Sequence, residues 1–334
     1  MAINHGTPSP SPWHEGERAV QAIVGSAERL ARVGSRAIRP VMPDQHRQFF
    51  AQLPFLVVGS VDADDRPWAS ILAGAPGFAH SPDPQSLVIA ARPVPGDPLD
   101  GALTLGAKLG ILGIELPTRR RNRMNGRVVA VGAADFTVAV DQSFGNCPQY
   151  IQRRDYAPTP ASAPRSVRVE SFTALDAAAR ALIAASDTCF VASFARGEED
   201  TSRDGVDVSH RGGRPGFIGI DADGALVVPD YAGNGFFNTL GNLMVNPRAG
   251  LLFVDFASGD LLQVSGTTTI VWDGPERAAF AGAERLWRLA PTQGRWLRGA
   301  LPLRLDLREY SPTLAGTGTW EEAQAAVVRS RPDP

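Results

Sequence analysis

The nine residues Ser209-His210-Arg211-Gly212-Gly213-Arg214-Pro215-Gly216-Phe217 concentrate groups able to hold an anion. Two guanidinium forks can chelate a phosphate or carboxylate, and glycines without a Cβ let the backbone approach a ligand closely. A second stretch runs Pro229-Asp230-Tyr231-Ala232-Gly233-Asn234-Gly235-Phe236-Phe237-Asn238-Thr239-Leu240. It sets small residues, Asn234, Asn238, Thr239 and Asp230 just ahead of an expected helix, whose free N–H groups suit phosphate. Tyr231 and the two phenylalanines offer flat surfaces for a ring. Taken on spacing alone, the first stretch reads equally as a solvated strand edge with surface arginines. Alternation puts Ser209 and Arg211 on one face and His210 on the other, so both could meet one ligand only across a bulge at Gly212-Gly213. Arg211 is the expected ligand-facing residue, and His210 the candidate proton donor.

Two further motifs are unusual enough to nominate. Arg119-Arg120-Arg121-Asn122-Arg123-Met124-Asn125-Gly126 packs four arginines beside a strand, either as a basic turn in solvent or as one wall of a site through Arg121, Arg123 and Asn125. Gln142 to Tyr150 is expected to open a helix with Asn146 or Cys147 near its N-terminus, where an anion or thiolate is favoured, and with Gln149 close by. Cys189 falls in an apolar run and reads as core. His46 and His80 read as surface, His5 as part of a disordered tail, and His14 as the head of the first helix.

The elements that must position these residues repeat. Asp65–Phe78 and Asp204–Phe217 share Asp, Ser, Gly, Pro, Gly and Phe in register, with Ser209 and Phe217 lying 139 residues after Ser70 and Phe78. Leu87-Val88-Ile89 matches Leu226-Val227-Val228 at the same offset, Lys108–Glu115 matches Arg248–Asp255, and Gly126 matches Gly266. Four ordered matches point to a duplication. In each copy a short helix, Asp44–Leu53 or Thr173–Ala185, precedes a strand rich in β-branched and aromatic residues, Phe55–Val61 or Cys189–Ala195. Short strands with regularly spaced turns follow, and no G-x-G-x-x-G sits between a strand and a helix. An apolar stripe over Glu15–Val33 predicts one helix stopped by Gly34; Pro275–Leu289 predicts another helix and Leu301–Leu307 a strand. The fold expected is mainly β: two tandem split β-barrels with peripheral helices. Residues 1–43 form a tail and amphipathic helix, 44–154 the first barrel, 155–165 a linker and 166–334 the second barrel.

The composition fits two moderate soluble domains: 334 residues, 43% hydrophobic, 20% charged. A net charge of −2 gives no pull toward nucleic acid or an anionic membrane. Lys108 is the lone lysine, so phosphate contacts must come from arginine, backbone N–H groups or hydroxyls. Two cysteines make neither a disulfide framework nor a metal cluster, and no metal is expected. Met1–Pro12 lacks the apolar stretch of a secretory signal, and no 18-residue apolar run exists, so the cytoplasm is the expected location.

The run DVSHRGGRPGF, followed by VPDYAGNGFFNTLGNLMVNPRAGLLF, resembles the pyridoxamine 5′-phosphate oxidase-related, FMN-binding split-barrel superfamily, and within it the branch with two barrels in tandem. The resemblance extends over both repeats, to the HEGE stretch at His14–Glu17 and to QSFGNCPQYI at Gln142–Ile151. It implies FMN held by the second barrel through Ser209, Arg211, Gly212, Gly213, Arg214, Gly216, Phe217, Pro229, Asp230, Tyr231, Asn234, Asn238, Thr239 and Gln263. The first barrel, whose matching strand reads Ser70-Ile71-Leu72-Ala73, would wall the site. Asn238 and Thr239 stand where the oxidase has an Arg-Lys pair, and its vitamin B6-binding residues have no counterpart, so that reaction is not expected. The reading is an FMN-dependent oxidoreductase taking electrons from NADH or NADPH to a small acceptor, possible as a homodimer. The alternatives are a flavin carrier, or a haem-handling barrel with His14 or His210 as axial ligand.

Overall fold

The structure, a computed structural model, describes residues 11–157, 166–197 and 202–329. Most of the expected tail, with His5, and most of the expected linker lie outside the described residues. The chain begins with helices α1 (Glu15–Ile23), α2 (Ala27–Ala37) and α3 (Asp44–Gln52). Strands β1 (Phe55–Val61), β2 (Pro67–Ala73), β3 (Ala79–His80) and β4 (Ser86–Ile89) lead to α4 (Pro98–Ala102). Then come β5 (Lys108–Glu115), β6 (Arg120–Val131), β7 (Phe136–Gly145) and β8 (Arg153–Ala157). The second half opens with β9 (Arg168–Phe172), α5 (Ala177–Ala185), β10 (Thr188–Ala195), β11 (Gly205–Gly212), β12 (Gly219–Ile220) and β13 (Leu226–Tyr231). It closes with α6 (Asn238–Val245), β14 (Arg248–Val254), β15 (Leu261–Val271), α7 (Pro275–Ala279), β16 (Ala283–Arg298), β17 (Arg304–Glu309) and α8 (Trp320–Arg329).

Two antiparallel sheets carry the same strand order. The first runs β2-β1-β5-β6-β7-β4-β3 and the second β11-β10-β14-β15-β16-β13-β12, with β9 added beside β16. Each is a mainly β unit of split-barrel type. The correspondence reaches single residues: register shifts fall at Asn125/Gly126 and at Ser265/Gly266. A Cβ on Gly126 or Gly266 would lie 1.9 or 2.1 Å from a carbonyl oxygen of the neighbouring strand, so neither bulge admits a side chain.

Side-chain alternation divides the central strands between two cores. Leu56 and Val58 of β1 enter the core of the first unit, while Phe55 and Val57 enter a core shared with the second. Cys189 and Val191 of β10 likewise face inward, and Phe190 and Ala192 face the shared core. Strands buried on both faces must be apolar at nearly every position, as β1 and β10 are. Edge strands cross between the units at glycines. A Cβ on Gly110 would sit 2.6 Å from the Val206 carbonyl oxygen, and one on Gly250 would sit 2.2 Å from that of Pro67.

Several local expectations are corrected. The first helix is two, α1 and α2, because Gly25 takes a φ of +70° between them; Gly34 lies inside α2. Asp176, rather than Thr173, caps α5, accepting from the Ala179 N–H. Pro275–Leu289 is helical only to Ala279. Gly282 turns the chain at φ +78°, and β16 then forms long ladders with β13 and β15, whose pairing overrides local helix propensity. Gln142–Tyr150 is no helix: its first residues finish β7, and Tyr150 sits in a turn with φ +63°. The C-terminal strand spans Arg304–Glu309 and pairs with β8, so the expected linker begins inside a strand. His46 is buried, its Nδ1 2.9 Å from Ser143 Oγ, instead of facing solvent. No helix among the described residues is long and apolar enough to cross a membrane.

Candidate functional site

A pocket opens where β11 ends against the first unit. The second unit supplies the ends of β11 and β13, the loop 232–237 and the first turn of α6; the first supplies Leu112, Arg121, Arg123 and the turn 146–150. Its cavity volume is about 120 Å³, or about 890 Å³ when all the space between its walls, including that open to solvent, is counted. Tyr150 and Tyr231 stack at this mouth, ring centroids 5.1 Å apart, and the Tyr150 hydroxyl donates to the Ala232 carbonyl at 3.0 Å.

Three arginines converge on it. Arg123, almost wholly buried, donates to Asp207 Oδ1 at 3.0 Å, to Asn238 Oδ1 at 2.9 Å and to Ser209 Oγ. Arg211 bonds Asp230, whose other oxygen accepts from Arg285 at 3.0 Å. Arg121 donates from Nε to the Cys147 carbonyl at 2.7 Å, and its NH1 lies 3.3 Å from His210 Nδ1. Among the described residues no carboxylate pairs with Arg121, and burial together with the Arg123 charge pushes its pKa down to about 10. Burial, reinforced by Arg121, Arg154 and Arg211, holds His210 well below the usual imidazole range. Several buried polar atoms here have no partner among the described residues: His210 Nε2, Arg211 Nε, Arg123 Nε and Asn146 Oδ1. Buried polar groups are normally satisfied, so this cluster sets the pocket apart as the candidate site.

The first turn of α6 adds to this field. Its N-cap position is Phe237, left-handed at φ +62°, with no side-chain cap. The positive end of the helix therefore faces the pocket uncovered. Behind it, α1 crosses α6 closely enough that a Cβ on Gly16 would lie 2.1 Å from the Gly241 carbonyl. That crossing brings Glu17 to Asn238, which donates to it at 2.5 Å. Burial first, and then the charge of Asp207, drives the Glu17 carboxyl well above its ordinary pKa. His14 caps α1, accepting from the Gly16 N–H and completing a capping box with Glu17. Asn242 and Asn125 each donate to Asp207, at 2.9 and 2.7 Å. The pocket floor is thus a polar network built from the N-terminal helix and both units.

Of the residues nominated from the sequence, Ser209, His210, Arg211, Gly212, Phe217, Pro229, Asp230, Tyr231, Asn234, Asn238 and Thr239 line the pocket. So do Arg121, Arg123, Asn146, Cys147 and Gln149 of the other wall. Asn125 stands behind it on Asp207. Gly213, Arg214 and Gly216 lie outside; Arg214 turns away to the Thr317 carbonyl and Glu322. Gln263 is buried elsewhere between the units, donating to the Ala69 carbonyl at 2.9 Å. The arginine-rich segment is strand β6 rather than a turn in solvent. His210 and Arg211 both reach the pocket without a bulge, because the β10–β11 ladder is regular and the pocket wraps the free edge of β11. Sequence reasoning offered Phe237 only as a flat surface for a ring, and it missed Tyr150, Glu17 and Asp207. The QYI and HEGE stretches carried signals for two of them, but nothing local marks Asp207 as the partner of Arg123.

Residues 175–311 match the family model described as pyridoxamine 5′-phosphate oxidase, which supports that superfamily for the second unit. No curated protein matches the chain. Solved structures include HupZ of Group A Streptococcus, at 15% identity and a TM-score of 0.25, covering 31% of this chain and 94% of that one. A candidate pyridoxamine 5′-phosphate oxidase of Lactobacillus delbrueckii has 14% identity and a TM-score of 0.26, covering 32% and 95%. The motility inhibitor MotI (DgrA) of Bacillus subtilis has 10% identity and a TM-score of 0.20, covering 83% and 95%. At such scores none of the three bears on function.

Proposed function

We propose that this chain binds one FMN in the pocket between its units and works as an FMN-dependent oxidoreductase, drawing electrons from NADH or NADPH. The observation that carries the reading is the convergence of Arg121, Arg123, Arg211 and the uncapped start of α6 on buried, unpartnered donors. Such a donor-rich, cationic pocket selects an acceptor-rich anion. The flavin ring would then lie in the open mouth beside Tyr150 and Tyr231.

The residues divide the work. Arg123 and Ser209 sit beside the start of α6, where a phosphate would be held. Arg211 is restrained by Asp230 and offers its Nε, so it contributes less than an unpaired fork would. A bound flavin supplies the redox chemistry, and the protein orients it and limits water. One chain brings both walls, so no second copy is needed to complete the pocket. The matching strand orders, bulges and inter-unit glycines also support an internal duplication whose first copy no longer carries the arginine-bearing strand.

A flavin carrier is the second reading. It is favoured by the pairing of Asp230 with two arginines, which leaves no free carboxylate lining the pocket as an acid or base. His14, one of the two axial candidates for haem, caps α1 away from the pocket. Denaturing the purified protein and identifying the released chromophore tests the flavin: FMN supports it, and haem or a colourless supernatant after FMN supplementation sinks it. Bleaching by NADH or NADPH under argon, followed by recovery in air, supports the enzyme over the carrier.

A further inference from the structure

The ring of His210 stands edge-on to Phe190, centroids 5.7 Å apart, and the residue is 6% exposed. Its two nitrogens meet opposite circumstances. Nδ1 lies 3.3 Å from a terminal nitrogen of Arg121. A guanidinium has only donors, so at this contact Nδ1 must accept, and in the neutral ring the proton then resides on Nε2. Arg121 is itself held in place, because its Nε donates to the Cys147 carbonyl at 2.7 Å. Nε2 is buried with no partner among the described residues, and His210 is one of the residues lining the pocket.

We propose that Arg121 locks His210 as the Nε2–H tautomer, and that this N–H is a fixed donor for an acceptor atom of the ligand, a ring carbonyl oxygen or an unprotonated ring nitrogen. The part concerning the ligand rests on the flavin reading above; the tautomer does not. Around the imidazole stand Arg121 from β6, Arg154 from β8, which is itself paired with Asp187, and Arg211 from its own strand, while the nearby Asp230 carboxylate is taken up by Arg211 and Arg285. With this cationic surround and the apolar face of Phe190, the ring gains nothing from a second proton, so it stays a donor across neutral pH. The same arrangement removes His210 as a metal ligand. A ligating imidazole presents its lone pair to the metal and donates its other N–H to an acceptor. Here the other nitrogen faces a donor.

The test begins with the full chain carrying 15N-labelled histidine, without added ligand. His210 is expected to show an imine-type Nδ1 and a pyrrole-type Nε2, unchanged from about pH 6 to about pH 8. A pyrrole-type Nδ1, or titration within that range, overturns the lock. Arg121→Met should release it and allow both tautomers; an unchanged spectrum in that variant overturns the role of Arg121. FMN is then added. Movement of the wild-type Nε2 signal on binding supports the donor; tight FMN binding with a silent Nε2 overturns it and leaves the flavin reading standing. If FMN does not bind at all, the flavin reading and the ligand half of this proposal fall together, and the lock is judged on the unliganded spectra. Among variants, His210→Gln keeps an N–H near the Nε2 position and should retain most affinity, whereas His210→Phe should bind FMN about tenfold more weakly. Equal affinities for these two variants overturn the proposed donor.

Discussion

The starts of α4 and α6 hold the same place in the two units, yet Asp97 caps the first with its side chain whereas Phe237 leaves the second uncapped. Asp97 accepts from Ser70 Oγ at 2.5 Å, from the Leu99 N–H at 2.9 Å and from Gln263 Nε2 at 3.4 Å. Ser70 matches Ser209, and Gln263 falls in the second sheet where Arg123 falls in the first. In one unit the helix end, serine and amide close on the protein's own carboxylate. In the other, the helix end, serine and arginine face a pocket. The difference teaches how a repeated frame can diverge: a carboxylate supplied from within fills the space in the first unit, and the second leaves the helix end open to the pocket, where the proposed ligand would sit.

The comparison can be broken first at Arg123. Arg123→Ala leaves Asp207 buried without its guanidinium and removes a partner of Asn238 and Ser209. Its expected cost is about 3–5 kcal/mol, read by urea denaturation, with FMN binding lost. A variant as stable as the parent would show that the network does not join the units.

Asp97 gives the next effect. Burial pushes its carboxyl up to about 6, against an ordinary value of about 3.9. A carboxyl whose folded pKa is raised contributes stability that is complete below the unfolded pKa and is lost as pH rises through the folded value. Between about pH 4 and pH 6 the wild type should therefore lose about 3 kcal/mol relative to Asp97→Asn, which cannot ionise and still caps the helix. Parallel stability curves for the two proteins over that range would contradict the raised carboxyl.

Phe237→Asp carries the chemistry of the first unit into the second. The new carboxylate should cap α6, occupy the positive end of the helix and weaken FMN binding by at least about tenfold, measured by fluorescence titration. Undiminished affinity would separate the ligand from the helix start. The smallest change is expected from Arg211→Ala. Asp230 keeps Arg285, so the loss should be only about threefold to tenfold in FMN affinity, with little change in Tm.

Much of the frame could be read from residue patterns. β1 is Phe55–Val61, as its run of β-branched and aromatic residues implies, and Cys189 is core. The offset glycines matched in the sequence, Gly126 and Gly266, are both bulges. Most of the nominated site residues also gather in one pocket, because alternation and turn chemistry are local and survive packing. Arg214 and Gln263 did not follow, since their partners, Glu322 in one case and Ser70 in the other, lie 108 and 193 residues away in sequence. Burial of His46 depends in the same way on Ser143, a residue of another element.

The sequence by itself determined the two-unit β frame, the asymmetry between the Ser70 and Ser209 strands, and the arginines available to hold an anion. Tertiary structure alone decided that residues 283–298 are strand, that Glu17 reaches Asn238, and that Arg211 spends its charge on Asp230. The reason is physical: periodicity and turn residues act over a few positions, whereas a buried charge is satisfied by whichever partner the packing of distant segments brings to it.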